Sequence, residues 1–294
     1  MTDPDGYGEH DSPRLYQPDY DDDLPMNYNL PAGEMMGESL SVYLGNFTKY
    51  TLLALLASLP LGIWGFFVFH DVDLYDMGEV KSIGYQISGI GILSSFLQSI
   101  AVGAIIYGVF KHKSSQGASF GKCLGVALSK LHKLIGVTIV ILLGLTFIIL
   151  PFLLGVFIPF LGILIMAGAF IPLLMFVTAS YLAPAVVMVE SKGVFESIKR
   201  SFDLTRGNRS KIFAILLVFG IANKVIEYVV GMIINDGAQS MEAVLEQAEM
   251  SMWSNLIVSV FFAALGAVAV ALVYHRIRSK LEGLNDMDLA ALFD

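Results

Sequence analysis

The chain is poor in cysteine and in charge. Among 294 residues it has one cysteine, Cys123, and only 15% of the residues are charged, whereas soluble domains average about 25%. A single thiol excludes an internal disulfide and a cysteine-based metal cage. The 55% content of hydrophobic residues argues against a soluble enzyme. A net charge of -8 argues against nucleic acid as a partner.

Sequence motifs of catalysis are also missing. The chain has neither a phosphate-cradling glycine loop nor a Gly-x-Ser-x-Gly elbow. Its histidines lack the paired helical spacing of a metalloprotease; they are His10, His70, His112, His132 and His275. We therefore expect no enzymatic activity, no catalytic residues, no cofactor and no metal.

Long apolar runs dominate the rest of the chain. Residues 134 to 189 carry no charge at all. About 20 apolar helical residues cross a bilayer, so this stretch holds two spans, with a hairpin marked by Pro151 and Pro159. The sequence predicts an all-α integral membrane protein whose membrane domain covers residues 38–283. Its six transmembrane helices are predicted at about 47–69, 82–110, 134–154, 160–189, 212–234 and 253–274.

Basic residues collect on one predicted side of the membrane. All of the 18 lysines and arginines except Lys81 and Lys224 fall there, and the opposite loops are acidic. Because lysine-rich and arginine-rich loops stay in the cytoplasm, both termini are expected to be cytoplasmic, in a bacterial cytoplasmic (inner) membrane. No apolar run precedes Phe47, so we expect no cleavable signal peptide.

The predicted tails differ in composition from the membrane domain. Residues 1–37 are rich in proline and aspartate, which is typical of a disordered acidic cytoplasmic tail. The tail is either merely solvated or a docking peptide for a basic partner surface. Residues 284–294 form a short cytoplasmic C-terminal tail.

Each pair of spans follows a short amphipathic stretch that ends near a lysine, at Lys49, Lys133 and Lys211. Apolar residues recur at helical spacing in all three stretches, which favours helices lying flat in the interface. We expect three helix-plus-hairpin repeats, with a chance match as the alternative.

Small residues recur every four positions in the second span, at Gly91, Ser95, Ser99 and Gly103. Such a stripe lets another helix backbone approach closely. Packing within the bundle is the favoured use, and contacts in a homo-oligomer are the alternative.

Three polar residues interrupt the fifth span: Asn223, Lys224 and Glu227. Ionisable groups at this depth are costly and are usually paired or functional. Lys224 and Glu227 share one helical face, so an ion pair is expected between them. Such a pair is either structural, facing the bundle interior or with Lys224 reaching toward the interface, or a substrate contact in a small transporter.

A basic cluster lies between the fourth and fifth spans. Its members are Lys199, Arg200, Arg206, Arg209 and Lys211. They either anchor an interfacial helix at anionic headgroups or build a specific headgroup site.

A motif at the exit of the fourth span reads Tyr-Leu-Ala-Pro from residue 181, then Glu190, Gly193 and Ser-Phe-Asp-Leu-Thr-Arg-Gly ending at Gly207. It resembles the membrane domain of some glycerophosphoryl diester phosphodiesterases and of related stand-alone bacterial multi-pass proteins. The resemblance covers residues 38 to 294 and implies a six-span domain without assigned activity, because the catalytic domain is absent. Pro184, Glu190, Gly193 and Gly207 then have structural roles: Pro184 kinks a helix, Gly193 permits a turn, and Gly207 caps the amphipathic helix.

These features together favour a non-catalytic scaffold or accessory subunit that binds protein partners, anionic lipid headgroups or both. The alternative is a small-molecule or lipid transporter that uses Lys224 and Glu227.

Overall fold

The computed structural model describes residues 30–71, 77–157, 159–234 and 241–282. Within these ranges the chain forms ten α-helices and no strand. The helices are α1 (Ala32–Gly45), α2 (Phe47–Asp71), α3 (Met77–Lys113), α4 (Phe120–Ser129), α5 (Leu131–Phe157), α6 (Pro159–Ser180), α7 (Ala183–Glu190), α8 (Val194–Leu204), α9 (Arg209–Ile234) and α10 (Met241–Glu282).

Six stretches of the described helices are long and apolar enough to cross a bilayer. They lie in α2, α3, α5, α6 together with α7, α9 and α10. The predicted all-α, six-span class is confirmed, and the protein is a multi-pass membrane protein. A short helix precedes each pair of long ones, α1 before α2 and α3, α4 before α5 and α6, and α8 before α9 and α10.

The hairpin between the third and fourth spans is tighter than predicted. Helix α5 continues past Pro151 to Phe157, and α6 begins at Pro159. Proline is well tolerated in the first turn of a helix, where its missing N–H is not needed, so Pro159 starts α6. Residue 158 lies outside the described residues.

The N-terminal boundary of the membrane domain is earlier than predicted. Helix α1 begins at Ala32, so residues 32–37 are helical and not part of a disordered tail. Leu30 is buried, and its backbone N–H donates to Asn208 Oδ1 at 3.3 Å. These tertiary contacts override the tail-like composition of this segment. Residues 1–29 and the predicted C-terminal tail 284–294 lie outside the described residues.

Helix α1 crosses the ends of two spans. The Glu38 carboxylate pairs with Lys113 of α3 and, at 3.6 Å, with Arg276 of α10. Helices α4, α7 and α8 lie at the same end, which we call the basic end.

Helix α10 is the centre of the bundle and contacts α1, α2, α3, α7 and α9. Gly62 and Gly65 of α2 face Trp253 and Met252 of α10, so small residues meet large ones there. The stripe of small residues on α3 is used for close packing at its C-terminal end. There a side chain added at Gly103 would meet Leu134 of α5, whereas nothing lies within 4 Å of a side chain added at Gly91.

Candidate functional site

The fourth span is interrupted between Ser180 and Ala183, directly before Pro184 in the first turn of α7. A helix break inside a membrane leaves backbone polar groups without partners, which is costly. The Ser201 hydroxyl of α8 satisfies two of them: it donates to the Ala179 carbonyl at 2.6 Å and accepts the Leu182 N–H at 3.2 Å. Helix α8 therefore stabilises the break with a polar face turned inward.

Glu190, at the end of α7, joins three elements. Its side chain is 7% exposed and pairs with Arg200 of α8 at 3.3 Å and with Lys192 at 2.9 Å. The Tyr274 hydroxyl of α10 donates to Glu190 Oε1 at 2.8 Å, and Arg278 donates to the same hydroxyl at 3.0 Å. The single negative charge of this buried carboxylate is paired with two cations, which makes the cluster a structural connection between α7, α8 and α10.

The two glycines of the motif behave differently. Gly207 has φ +84°, the left-handed conformation that glycine adopts without strain, just after the end of α8. Gly193 has φ -65°, and its N–H donates to the Glu196 carboxylate at 3.1 Å. The left-handed residue of that turn is instead Ser191, with φ 52°, so the expected role of Gly193 in permitting the turn is wrong.

Two lysines hold Ser191 in place. Lys130 donates to the Ser191 hydroxyl at 2.7 Å and to the Met188 carbonyl at 2.6 Å, and Lys133 donates to the Ser191 carbonyl. Burial, and secondarily the neighbouring Lys133 charge, lower the pKa of Lys130. These lysines complete the carbonyl end of α7, where positive charge is favourable.

The five residues of the basic cluster do not form one site. Arg200 is engaged by Glu190, and Arg209 donates to the Phe202 carbonyl at 3.3 Å. Lys211 is half-buried, whereas Lys199 and Arg206 are exposed. A headgroup site made of all five is therefore not assembled, because two of the guanidinium groups serve internal contacts.

A lateral groove of about 1050 Å³ opens between α6, α9 and α10. It contains all three polar residues predicted in the fifth span, Asn223, Lys224 and Glu227. Asn255 of α10 adds a second amide. Most other lining residues are apolar; they are Leu174, Val177, Phe213, Leu216, Leu217, Ile221 and Val225, with Gly220 and Tyr228 beside them.

The predicted ion pair is present on the groove wall, with Lys224 Nζ at 2.5 Å from Glu227 Oε2. The Lys224 side chain is 77% exposed and the Glu227 side chain 19%. The pair therefore does not face the bundle interior, which corrects one of the two structural alternatives. Gly220 leaves open space one turn before Lys224, with nothing within 4 Å of a side chain added there.

Sequence reasoning missed Asn255 because it lies on another helix, 31 positions after Lys224. An amide between apolar residues of the sixth span was the available signal. No group of histidine, cysteine and carboxylate side chains suited to a metal ion occurs among the described residues. The groove offers paired opposite charges and two amides in apolar surroundings, which suits binding of an amphiphile.

The fold and groove define a helical multi-pass membrane protein with a lateral, partly polar cleft. Its residues 134–277, from α5 into α10, match the model of a family described only as a domain of unknown function (DUF7847). This similarity covers the break, the groove and the Glu190 cluster except Arg278. Neither a curated protein nor a solved structure matches the chain.

Proposed function

We propose that the protein is a non-catalytic membrane protein that binds a lipid in the lateral groove. The observation that carries the proposal is the combination of apolar walls with the Lys224–Glu227 pair in one cavity of about 1050 Å³. Acyl chains bury apolar surface against such walls, and a headgroup satisfies the polar atoms. No nucleophile or metal site is needed for this role.

The depth of Lys224 indicates which leaflet supplies the lipid. At about 1.5 Å per residue, Lys224 lies about 22 Å along α9 from Arg209 and about 15 Å from Ile234. The polar part of the groove is therefore nearer the end opposite the basic end. A headgroup from that leaflet reaches Lys224 with the help of the long, flexible lysine side chain.

Lipid binding is tested by filling the groove at Gly220. In Gly220→Phe the new ring occupies open space, so we expect a folded protein that loses its co-purified lipid in native mass spectrometry. Gly91→Phe is the matched control, because Gly91 is also exposed with nothing within 4 Å of an added side chain. Equal lipid retention in both variants, or no lipid on the unaltered protein, would overturn the proposal.

We also propose that the basic end faces the cytoplasm of a bacterial inner membrane. Exposed Lys199 and Arg206, near the 75% exposed Phe195, suit an interface with anionic headgroups. The test introduces single cysteines in a Cys123→Ala background, at Arg206 and at the 82% exposed Tyr85 near the other end. A membrane-impermeant maleimide added to intact cells should label only the cysteine at position 85; the opposite pattern would reverse the orientation.

Association with a protein partner, as scaffold or accessory subunit, and homo-oligomer formation stay predictions of the sequence. The native mass spectra of the lipid-binding experiment also test these two predictions, because a stoichiometric partner or a second copy adds its own mass. The transporter alternative predicts lipid or solute movement between the two sides of a proteoliposome, and replacing Lys224 by methionine would abolish it. The resemblance to the phosphodiesterase membrane domain also stays a prediction.

A further inference from the structure

The charge pair in the groove is arranged with its cation outward. Lys224 Nζ contacts Glu227 Oε2 at 2.5 Å, and the exposed fractions of the two side chains are 77% and 19%. A ligand entering the groove from the bilayer therefore meets the ammonium first and the carboxylate behind it.

The pair leaves hydrogen-bonding capacity for a ligand. A lysine ammonium has three N–H donors, and a carboxylate has about four acceptor sites. One contact between Lys224 and Glu227 uses one donor and one of these sites. Both groups can therefore bind a ligand while they remain paired.

The formal charge of the groove is balanced. Among the described residues that line it, Lys224 is the one cation and Glu227 the one anion. An uncompensated charge in surroundings of low dielectric is costly. An anionic headgroup would add a second negative charge beside Glu227, whereas a zwitterionic headgroup brings one charge of each sign.

We infer that the groove selects a zwitterionic phospholipid whose headgroup ends in a primary ammonium, with the phosphodiester at Lys224 and the ammonium at Glu227. This inference rests on the proposed lipid binding and specifies its ligand class. A primary ammonium donates hydrogen bonds to the carboxylate, whereas a quaternary ammonium has no N–H to donate. Phosphatidylethanolamine is therefore favoured over both phosphatidylcholine and anionic phosphatidylglycerol.

The test uses the full-length protein in nanodiscs that contain equal amounts of phosphatidylethanolamine, phosphatidylglycerol and phosphatidylcholine. Lipids that remain bound after gentle release are counted by native mass spectrometry. The unaltered protein should retain phosphatidylethanolamine at least tenfold over either of the other lipids.

Glu227→Gln is the decisive variant because it keeps the shape of the side chain and removes its charge. Lys224 then stands as an unbalanced cation, so the preference should shift at least tenfold toward phosphatidylglycerol. In Lys224→Gln/Glu227→Gln the groove is neutral, and the headgroup preference should fall to within about twofold while acyl-chain binding persists. Thermal unfolding in detergent checks that each variant is folded.

The outcomes separate this inference from the lipid-binding proposal. Bound lipid that is displaced by Gly220→Phe but shows no headgroup preference, or prefers phosphatidylglycerol, overturns the ligand class and leaves lipid binding intact. An unchanged lipid ratio in folded Glu227→Gln does the same. If no lipid is retained, or if Gly220→Phe retains as much as the unaltered protein, lipid binding itself fails.

Discussion

The Ser201 hydroxyl and the Leu182 backbone N–H, 19 positions apart, meet at 3.2 Å and connect α8 to the break in the fourth span. Through its second bond, to the Ala179 carbonyl at 2.6 Å, the same hydroxyl spans the break. A helix that ends inside the membrane is thus stabilised by a side chain from an interfacial helix.

Removing this hydroxyl should destabilise the protein. Ser201→Ala leaves a buried N–H and a buried carbonyl without their side-chain partner, and each such loss costs about 1–3 kcal/mol. The free energy of unfolding, measured by denaturant titration in mixed micelles, should fall by at least the cost of one such loss. Ser95→Ala is the control, since the Ser95 hydroxyl donates to the Gly91 carbonyl of its own helix; equal effects would contradict the role of Ser201.

The partners of Glu190 should differ in importance according to their burial. Tyr274 is fully buried, so Tyr274→Phe should cost about 1.5–3 kcal/mol, the value of a hydrogen bond to a charged group. The Lys192 side chain is 41% exposed, and Lys192→Met should cost no more than about 1 kcal/mol, as for surface ion pairs. Unfolding midpoints of the two variants test this order, which the reverse ranking would refute.

Helix α5 approaches α8 so closely that a methyl group does not fit at Gly136. A side chain there would meet Val194 Cγ2 at 2.6 Å, and valine has little rotamer freedom to move away. Gly136→Ala should lower the free energy of unfolding by about 1–3 kcal/mol, and adding Val194→Ala should restore part of it.

Gly125 is the matched control for that substitution. Gly125 lies in α4, and nothing lies within 4 Å of a side chain added there. Gly125→Ala should therefore be neutral or stabilise the protein by up to about 1 kcal/mol through helix propensity. Equal destabilisation by both substitutions would remove the steric explanation.

Cys123 should contribute a pH dependence to stability. Burial raises the pKa of its thiol, an effect that the nearby Lys49 charge partly offsets. Above the ordinary cysteine pKa of about 8.5, the unfolded chain loses this proton while the folded chain keeps it, so the free energy of unfolding falls as the pH rises.

The measurement compares the unaltered protein with Cys123→Ala from neutral to alkaline pH. The variant lacks this titration, so the stability difference between the two proteins should shrink as the pH increases. A constant difference would show that the folded thiol titrates normally.

The sequence was sufficient for features that depend on neighbouring residues. Apolar length predicted six spans, and three-residue spacing predicted the Lys224–Glu227 pair, because both are properties of a single helix. The start of α1 at Ala32 was missed since its stability comes from tertiary contacts, including the buried Met35.

Features that require distant residues could not be predicted. Arg200 looked like one member of a free basic cluster, yet it pairs with the buried Glu190 ten positions earlier. Ser201 was one residue of the motif with no partner assigned to it, and Asn255 had no local partner to suggest a groove. Each of these assignments depends on how separate helices pack.

The central position of α10 has a consequence for biosynthesis. The helix that contacts α1, α2, α3, α7 and α9 is the last of the described helices to be synthesised. Until it is inserted, Gly62 and Gly65 of α2 lack the tryptophan and methionine that cover them. The contacts of α10 with these five helices therefore form after the earlier spans are in place, and a chain that ends before α10 leaves the centre of the bundle uncovered.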